Sequence, residues 1–318
     1  MLKTAICELF GIEHPIIQGG MAYVATAELA SAVSNAGGLG IIGAGAADPD
    51  WVRQQIRLTR QWTDKPFGVN VIMLSPHIQK VIEVMLEEKV AVATFGGGNP
   101  GIYMPRLKEA GIKVMPVVST VALARRMERS GADAIVAEGM ESGGEIGETT
   151  TLALVPQVVD SVKIPVVAAG GIADGRGLAA ALALGAEGIQ MGTRFVCSIE
   201  CIAHPKYKEA IVKANDRSTT VSGQKTGYPM RSLKNKLTTR FKELEESGAT
   251  AEEIMALGQG KVRLGLIEGD IEEGSLLAGQ IAGFIKDIKP VKVIIDEVVS
   301  EAERIISWLG KFRGKAYG

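Results

Sequence analysis

Cysteine, histidine, aromatic side chains and charge of one sign are all scarce in this chain of 318 residues. Its three cysteines, Cys7, Cys197 and Cys201, are too few and too scattered for a disulfide framework. Cys197 and Cys201 stand in C-x3-C spacing, but zinc needs two further ligands, and His204 is the only nearby non-acidic candidate. The thiols are therefore read as reduced, and no metal site is assigned. Lys and Arg total 35 against 36 Asp and Glu, a net charge of -1. That balance excludes the basic face needed for broad nucleic-acid binding. No apolar run approaches the ~20 residues of a membrane span. The opening MLKTAICELFGIEHP contains no apolar segment of the secretory type. A soluble protein in a reducing cytoplasm is expected, with neither membrane nor nucleic acid as partner.

What is present is a hydrophobic fraction of 46% with 22% charged residues, ample for a packed core. Glycine is abundant at 39 residues, pointing to tight turns or to backbone that a ligand approaches closely.

Short apolar runs alternate with amphipathic stretches. The runs at 15–18, 39–42, 67–71, 91–95, 113–117, 134–137, 166–169 and 188–191 read as strands. Most lack two-residue alternation, as strands buried on both faces do. Helical spacing marks 27–36, 78–88, 103–110, 121–130 and 177–184. Eight strand–helix units predict an α/β fold, a closed (β/α)8 TIM barrel, with an open doubly wound sheet as the alternative. The rhythm stops after Cys197. Residues 198–258 are expected to form a mostly helical inserted domain covering the active end. Residues 1–197 and 259–318 would make the barrel, closed by helices over 274–286 and 291–308.

Loops after barrel strands gather at one face, where chemistry is placed. Two successive ones, AAGGIADGRG at 168–177 and QMGTR at 190–194, carry paired small residues after the seventh and eighth strands. Converging backbone N–H groups there suit a phosphate, and Thr193 adds a hydroxyl. QGGMA at 18–22, Asn70 and GGGNP at 96–100 give the same mouth a surface for a flat heterocycle. A phosphate at one end and a flat ring at the other is the shape of FMN.

The segments PIIQGGMA, AGGLGIIGAG, DKPFGVN, GGGNP, VAEGMESGG, PVVAAGGIADGRG, QMGTRF and GSLLAGQIAG together resemble the FMN-dependent enoyl-acyl-carrier-protein reductase II family, within the nitronate monooxygenase (2-nitropropane dioxygenase) superfamily. The resemblance runs from Glu8 to about Gly283. It implies an FMN enzyme that draws electrons from NADH or NADPH. Its substrate would be a trans-2-enoyl thioester of fatty-acid synthesis, carried on acyl carrier protein, and the enzyme would work as a homodimer. It implies that Gly20, Met21, Asn70 and Glu138 lie near the flavin ring and ribityl chain. Gly170, Gly171, Gly192 and Thr193 would hold the phosphate beside Gln190, and Ser275 and Gln280 would approach from the C-terminal segment. Oxidation of nitronates with oxygen stays open as a second activity, and a flavin-binding barrel without catalysis as a third.

The family's loop histidine, in Gly-Gly-His-Ile-Gly, is replaced here by Glu145 in SGGEIG. A second family histidine is replaced by Tyr228 in GYPMR. A carboxyl donates a proton only while neutral, which needs a pKa raised by burial. Glu145 and Tyr228 are thus the candidate catalytic residues.

Overall fold

The computed structural model describes residues 2–311. Eight parallel strands form the central sheet: β1 (Ile16–Gln18), β2 (Gly40–Gly45), β3 (Phe67–Ile72), β4 (Val92–Gly96), β5 (Lys113–Val118), β6 (Ile135–Glu138), β8 (Val166–Ala169) and β9 (Gly188–Met191), with a short β7 (Gly144–Glu145) lying outside it. Their order is β1-β9-β8-β6-β5-β4-β3-β2. A parallel bridge between Ile17 and Leu39 joins the two ends. Every expected strand forms within two residues of its expected ends at most sites, because each is an apolar run that can be buried on both faces. The fold is a TIM barrel.

Two apolar layers follow from strand parity. Ile41, Val92, Met115, Val136 and Val167 point inward, where Ile6 and Phe10 of the helix Ala5–Phe10 plug one end. Their neighbours Ile42, Ala93, Ile135 and Val166 pack outward against the helices. Side chains two apart share a face. Val136 therefore leads to Glu138, Val92 to Thr94 and Gly68 to Asn70, so the inner face turns polar as the strands end.

The seam between β1 and β2 is the weakest part of the ring. Gln18 N–H donates to Leu39 O at 3.0 Å, and Leu39 N–H donates to Ile16 O at 2.9 Å. The fully buried Gln18 side chain extends this ladder. Its amide donates to Ile41 O and accepts from Ile41 N–H, both at 3.1 Å.

Two expectations are corrected. Residues 274–286 are not an α-helix but an extended strap ending in a 3-10 turn, Gln280–Phe284. The strap is instead laid close against neighbouring backbone, where glycine is required at two points. A Cβ on Gly274 would lie 2.3 Å from Gly265 Cα, and one on Gly283 2.6 Å from the Asn215 carbonyl carbon. The ring is closed instead by one helix, Val291–Leu309, packed on Gly175–Ala183. The segment 198–258 is less helical than expected. Beside the helices Pro205–Val212, Lys236–Ser247 and Ala251–Gly258 it holds β10 (Thr219–Ser222) and β11 (Met230–Leu233). These make an antiparallel hairpin that continues onto β7. Cys197 and Cys201 are buried thiols, pushed up to about 12 and about 11 by burial. His204 is occupied as a helix cap, its Nδ1 accepting from Lys206 N–H at 3.2 Å. Among the described residues no helix is long and apolar enough to cross a membrane.

Replacing Gln18 with Leu strands the buried N–H and C=O of Ile41 at the seam. A loss of about 2–4 kcal/mol is expected in urea unfolding. A change below about 0.5 kcal/mol would mean that the seam does not depend on this amide.

Candidate active site

Where the strands end, a hollow of about 380 Å³ opens at the barrel mouth. Asn70, Glu138 and Gln190 rise into it from the polar inner layer. Gly20, Met21, Gly170, Gly171, Gly192 and Thr193 line its sides, and Glu145 and Met230 approach from the loops above.

Several local choices follow from this crowding. Asn70 Nδ2 donates to Thr94 Oγ1 at 3.0 Å, which fixes the amide. Gly20 crosses directly over it, where a Cβ would sit 2.2 Å from Asn70 Cβ. Gly170 and Gly171 bend the chain with φ of 94° and 73°, a conformation that favours glycine. Gly96 and Gly192 are different. Gly96 is absent from the positive-φ residues and Gly192 has φ -110°. A Cβ on Gly96 would meet nothing within 4 Å, and one on Gly192 only Met21 Sδ at 3.5 Å. Neither backbone conformation nor protein packing demands glycine at these two places. Both line the hollow, so the space they leave is space for a bound group.

The strap crosses this mouth and is pinned to it. Gly279 N–H donates to Thr193 Oγ1 at 3.0 Å, which leaves the threonine's own proton free to donate. Gln280 N–H donates to Glu141 O at 2.9 Å. Arg194, buried behind the β9 loop, pairs with Asp287 at 2.8 Å. Tyr207 donates its hydroxyl to Leu277 O.

The mouth is lined by carboxyls. Glu138, Glu141 and Glu145 face it, and among the described residues no Lys, Arg or His does. Glu141 is turned onto the helix Thr151–Val159, accepting from Thr151 N–H at 2.9 Å and from its hydroxyl at 2.9 Å. Glu138 is enclosed at the floor, and its remaining accessible surface opens into the hollow. Burial, with the charge of Glu145 added, pushes its pKa up to about 8. Burial also raises Glu145 above the usual carboxylate range, although the residue is exposed on its outer side. Arg231 lies behind the wall, with Nε donating to Met140 O at 3.1 Å.

The structure brings Gly20, Met21, Asn70, Glu138, Gly170, Gly171, Gln190, Gly192, Thr193 and Glu145 to this one hollow. It does not bring Tyr228 or Ser275. In the β7–β11 register Glu145 faces Met230, so Tyr228 falls in the turn before the strand and is 41% exposed. Ser275 is held under the helix Lys261–Leu266, its N–H donating to Lys261 O at 2.7 Å. Gln280 lines a second, outer groove instead. Sequence reasoning missed Ser142, whose buried Oγ has no hydrogen-bond partner, and missed Glu141. Glu141 had a visible signal, standing three residues after Glu138 in a loop rich in glycine.

The nitronate monooxygenase family model matches residues 3–81 and 75–301. The structure of FabK from Thermotoga maritima superposes with a TM-score of 0.96 at 53% identity, covering 98% of this chain and 100% of that one. A (3aS,4S,5R,7aS)-5-hydroxy-7a-methyl-1-oxo-octahydro-1H-indene-4-carboxyl-CoA dehydrogenase from Rhodococcus jostii is 35% identical, over 98% of this chain and 99% of its own length. A nitronate monooxygenase from Paraburkholderia phytofirmans is 34% identical over 98% of both.

The raised Glu138 pKa has a measurable sign. The neutral form is favoured in the folded state, so its contribution to stability is fully present below pH 4.5 and is lost as pH rises through about 8. Carboxyl-edited NMR should show Glu138 titrating near that value. Glu145→Gln should lower it by removing the like charge. A Glu138 already ionised at pH 6 in the native protein would contradict this.

Proposed function

Because the chain belongs to the nitronate monooxygenase family and is an oxidoreductase, we propose that it is an FMN-dependent enoyl-acyl-carrier-protein reductase. It takes electrons from NADH or NADPH and reduces trans-2-enoyl thioesters of fatty-acid synthesis, presented on acyl carrier protein. The observation that carries this reading is that the mouth offers no cation among the described residues while burial raises two of its three carboxyls toward their neutral forms. A neutral enoyl thioester enters such a site at little electrostatic cost, whereas a nitronate would shed its hydration with no cation among those residues to meet its charge beside the reacting ring. The likeness to FabK at 53% identity supports the same choice.

The chain's own residues have distinct tasks in this reading. The glycine positions that leave space, Gly96 and Gly192, and the bends at Gly170 and Gly171 form the cradle. Gly170, Gly171, Gly192 and Thr193 hold the phosphate. Thr193 donates its free proton there while Gly279 N–H holds its oxygen. Met21, Asn70, Gln190 and a neutral Glu138 line the ring and ribityl chain. When bound, the flavin supplies hydride transfer from the nicotinamide to the β-carbon of the enoyl thioester. Glu145, its pKa raised by burial, gives a proton to the α-carbon and regains one from water. The segment 198–258 serves as the substrate-side cap, bringing Met230 opposite Glu145.

Nitronate oxidation is the second reading, favoured by the family model itself. An ionised Glu145 could act there as base toward a neutral nitroalkane.

Gly171→Asp places a charge in the phosphate cradle, beside Glu141 Cβ at 3.4 Å. The variant should purify folded and without flavin, read from circular dichroism and absorbance; full flavin occupancy would reject the phosphate assignment. Glu145→His should raise turnover of a crotonyl thioester about tenfold, ~1.4 kcal/mol of barrier, because imidazole donates a proton near neutral pH without having to be held uncharged. An unchanged rate, together with loss of activity in Tyr228→Phe, would transfer the donor role to Tyr228.

A further inference from the structure

Among the described residues, four buried side chains carry an atom without a hydrogen-bond partner, and of these only Ser142 lines the mouth. The residue is 7% exposed, and its Oγ is sealed from water. A buried hydroxyl in this state is costly, and native folds keep few of them.

The surrounding backbone places that hydroxyl. The loop of residues 139–143 is wedged between the glycine pair after β8 and the strap. On one side, a Cβ on Gly170 would lie 2.8 Å from Gly139 O, and one on Gly171 3.4 Å from Glu141 Cβ. On the other, a Cβ on Gly143 would lie 2.7 Å from Gly279 N, and one on Gly279 3.3 Å from the Ser142 carbonyl carbon. Gly279 N–H in turn donates to Thr193 Oγ1 at 3.0 Å. Ser142 therefore shares the Gly170–Gly171 end of the mouth with Thr193.

The charges at that end decide what kind of donor a phosphate would meet. No Lys, Arg or His lines the mouth among the described residues, so neutral N–H and O–H groups must do the holding. Glu141, the carboxylate beside Gly171, is turned away onto the Thr151 amide and hydroxyl. The Thr193 proton is one available hydroxyl donor, and Ser142 carries the second. A rotation about Cα–Cβ carries a serine hydroxyl from one staggered position to another.

We propose that Ser142 is a further phosphate ligand, its hydroxyl turning into the mouth when FMN binds and donating to the phosphate alongside Thr193. This rests on the reading that the flavin phosphate lies at Gly170 and Gly171. Hydrogen bonds to a charged acceptor are the stronger kind. The hydroxyl is a burden to the flavin-free protein and a partner to the loaded one, so it favours the phosphorylated flavin specifically.

The test is a fluorescence titration of flavin-free protein with FMN and with riboflavin, which has the same ring and ribityl chain but no phosphate. Ser142→Ala should weaken FMN about tenfold, ~1.4 kcal/mol, and leave riboflavin within about twofold. The urea midpoint of the flavin-free variant should be unchanged or higher, because an unpartnered hydroxyl has been removed. Thr193→Val should likewise lose affinity for FMN more than for riboflavin. An unchanged FMN affinity in Ser142→Ala, or equal weakening of both flavins, would overturn the proposal; if Thr193→Val keeps its FMN-specific loss, the phosphate assignment stands without Ser142. A lowered urea midpoint in flavin-free Ser142→Ala would also overturn it, since the hydroxyl would then be serving the fold. Unaltered protein that binds FMN no more tightly than riboflavin would reject the phosphate assignment and the proposal together.

Discussion

Closure of the sheet at the β1–β2 seam is the constraint from which the site follows. An open sheet would let strand ends diverge; a ring forces them to converge on one axis. At this seam the ladder is short, and the Gln18 amide completes it by bonding both backbone groups of Ile41. With the ring closed, inward parity carries each strand from an apolar layer to a polar one. Asn70, Thr94, Glu138 and Gln190 then share a floor because each lies on the inner face just above that layer. The same closure makes the mouth small enough for burial to govern its protonation.

Two neighbouring parts complete the mouth. The strap of residues 274–286 is tied across it by the Gly279–Thr193 hydrogen bond, and just beyond its end by the pair of buried Arg194 with the half-exposed Asp287. The hairpin of β10 and β11 reaches over from the other side and pairs with β7, which fixes Glu145 opposite Met230. Glu145 is therefore set by backbone pairing rather than left on a free loop. Its carboxyl and that of Glu138 face a space with no cation among the described residues, which favours uncharged forms of both the protein groups and the ligand.

Much of this was legible in the sequence because the barrel strands are apolar runs with no competing interpretation. The phosphate loops were legible for a related reason, since glycine pairs recur at the ends of two successive strands. The hairpin was not legible: TTVS and MRSL are short and mixed in polarity, and β7, the further partner of MRSL, lies some 85 residues earlier. The strap read as a helix because the spacing of Leu276, Leu277, Ile281 and Ile285 fits one, while the backbone contacts at Gly274 and Gly283 exist only in three dimensions. Tyr228 and Ser275 were chosen by resemblance, and register alone decides that Met230 takes the inner position. Glu138, named by resemblance, also follows from parity, two residues beyond the inward Val136.

The central claim, that a carboxyl-lined mouth with no cation among its described residues serves reduction of a neutral thioester, is tested most directly by separating the two half-reactions. The flavin-loaded protein is bleached with NADH or NADPH in the absence of oxygen, and a crotonyl thioester is then added. The account predicts that the oxidised flavin spectrum returns with the thioester alone. A spectrum that stays bleached with the thioester and recovers only with nitronate and oxygen would contradict it.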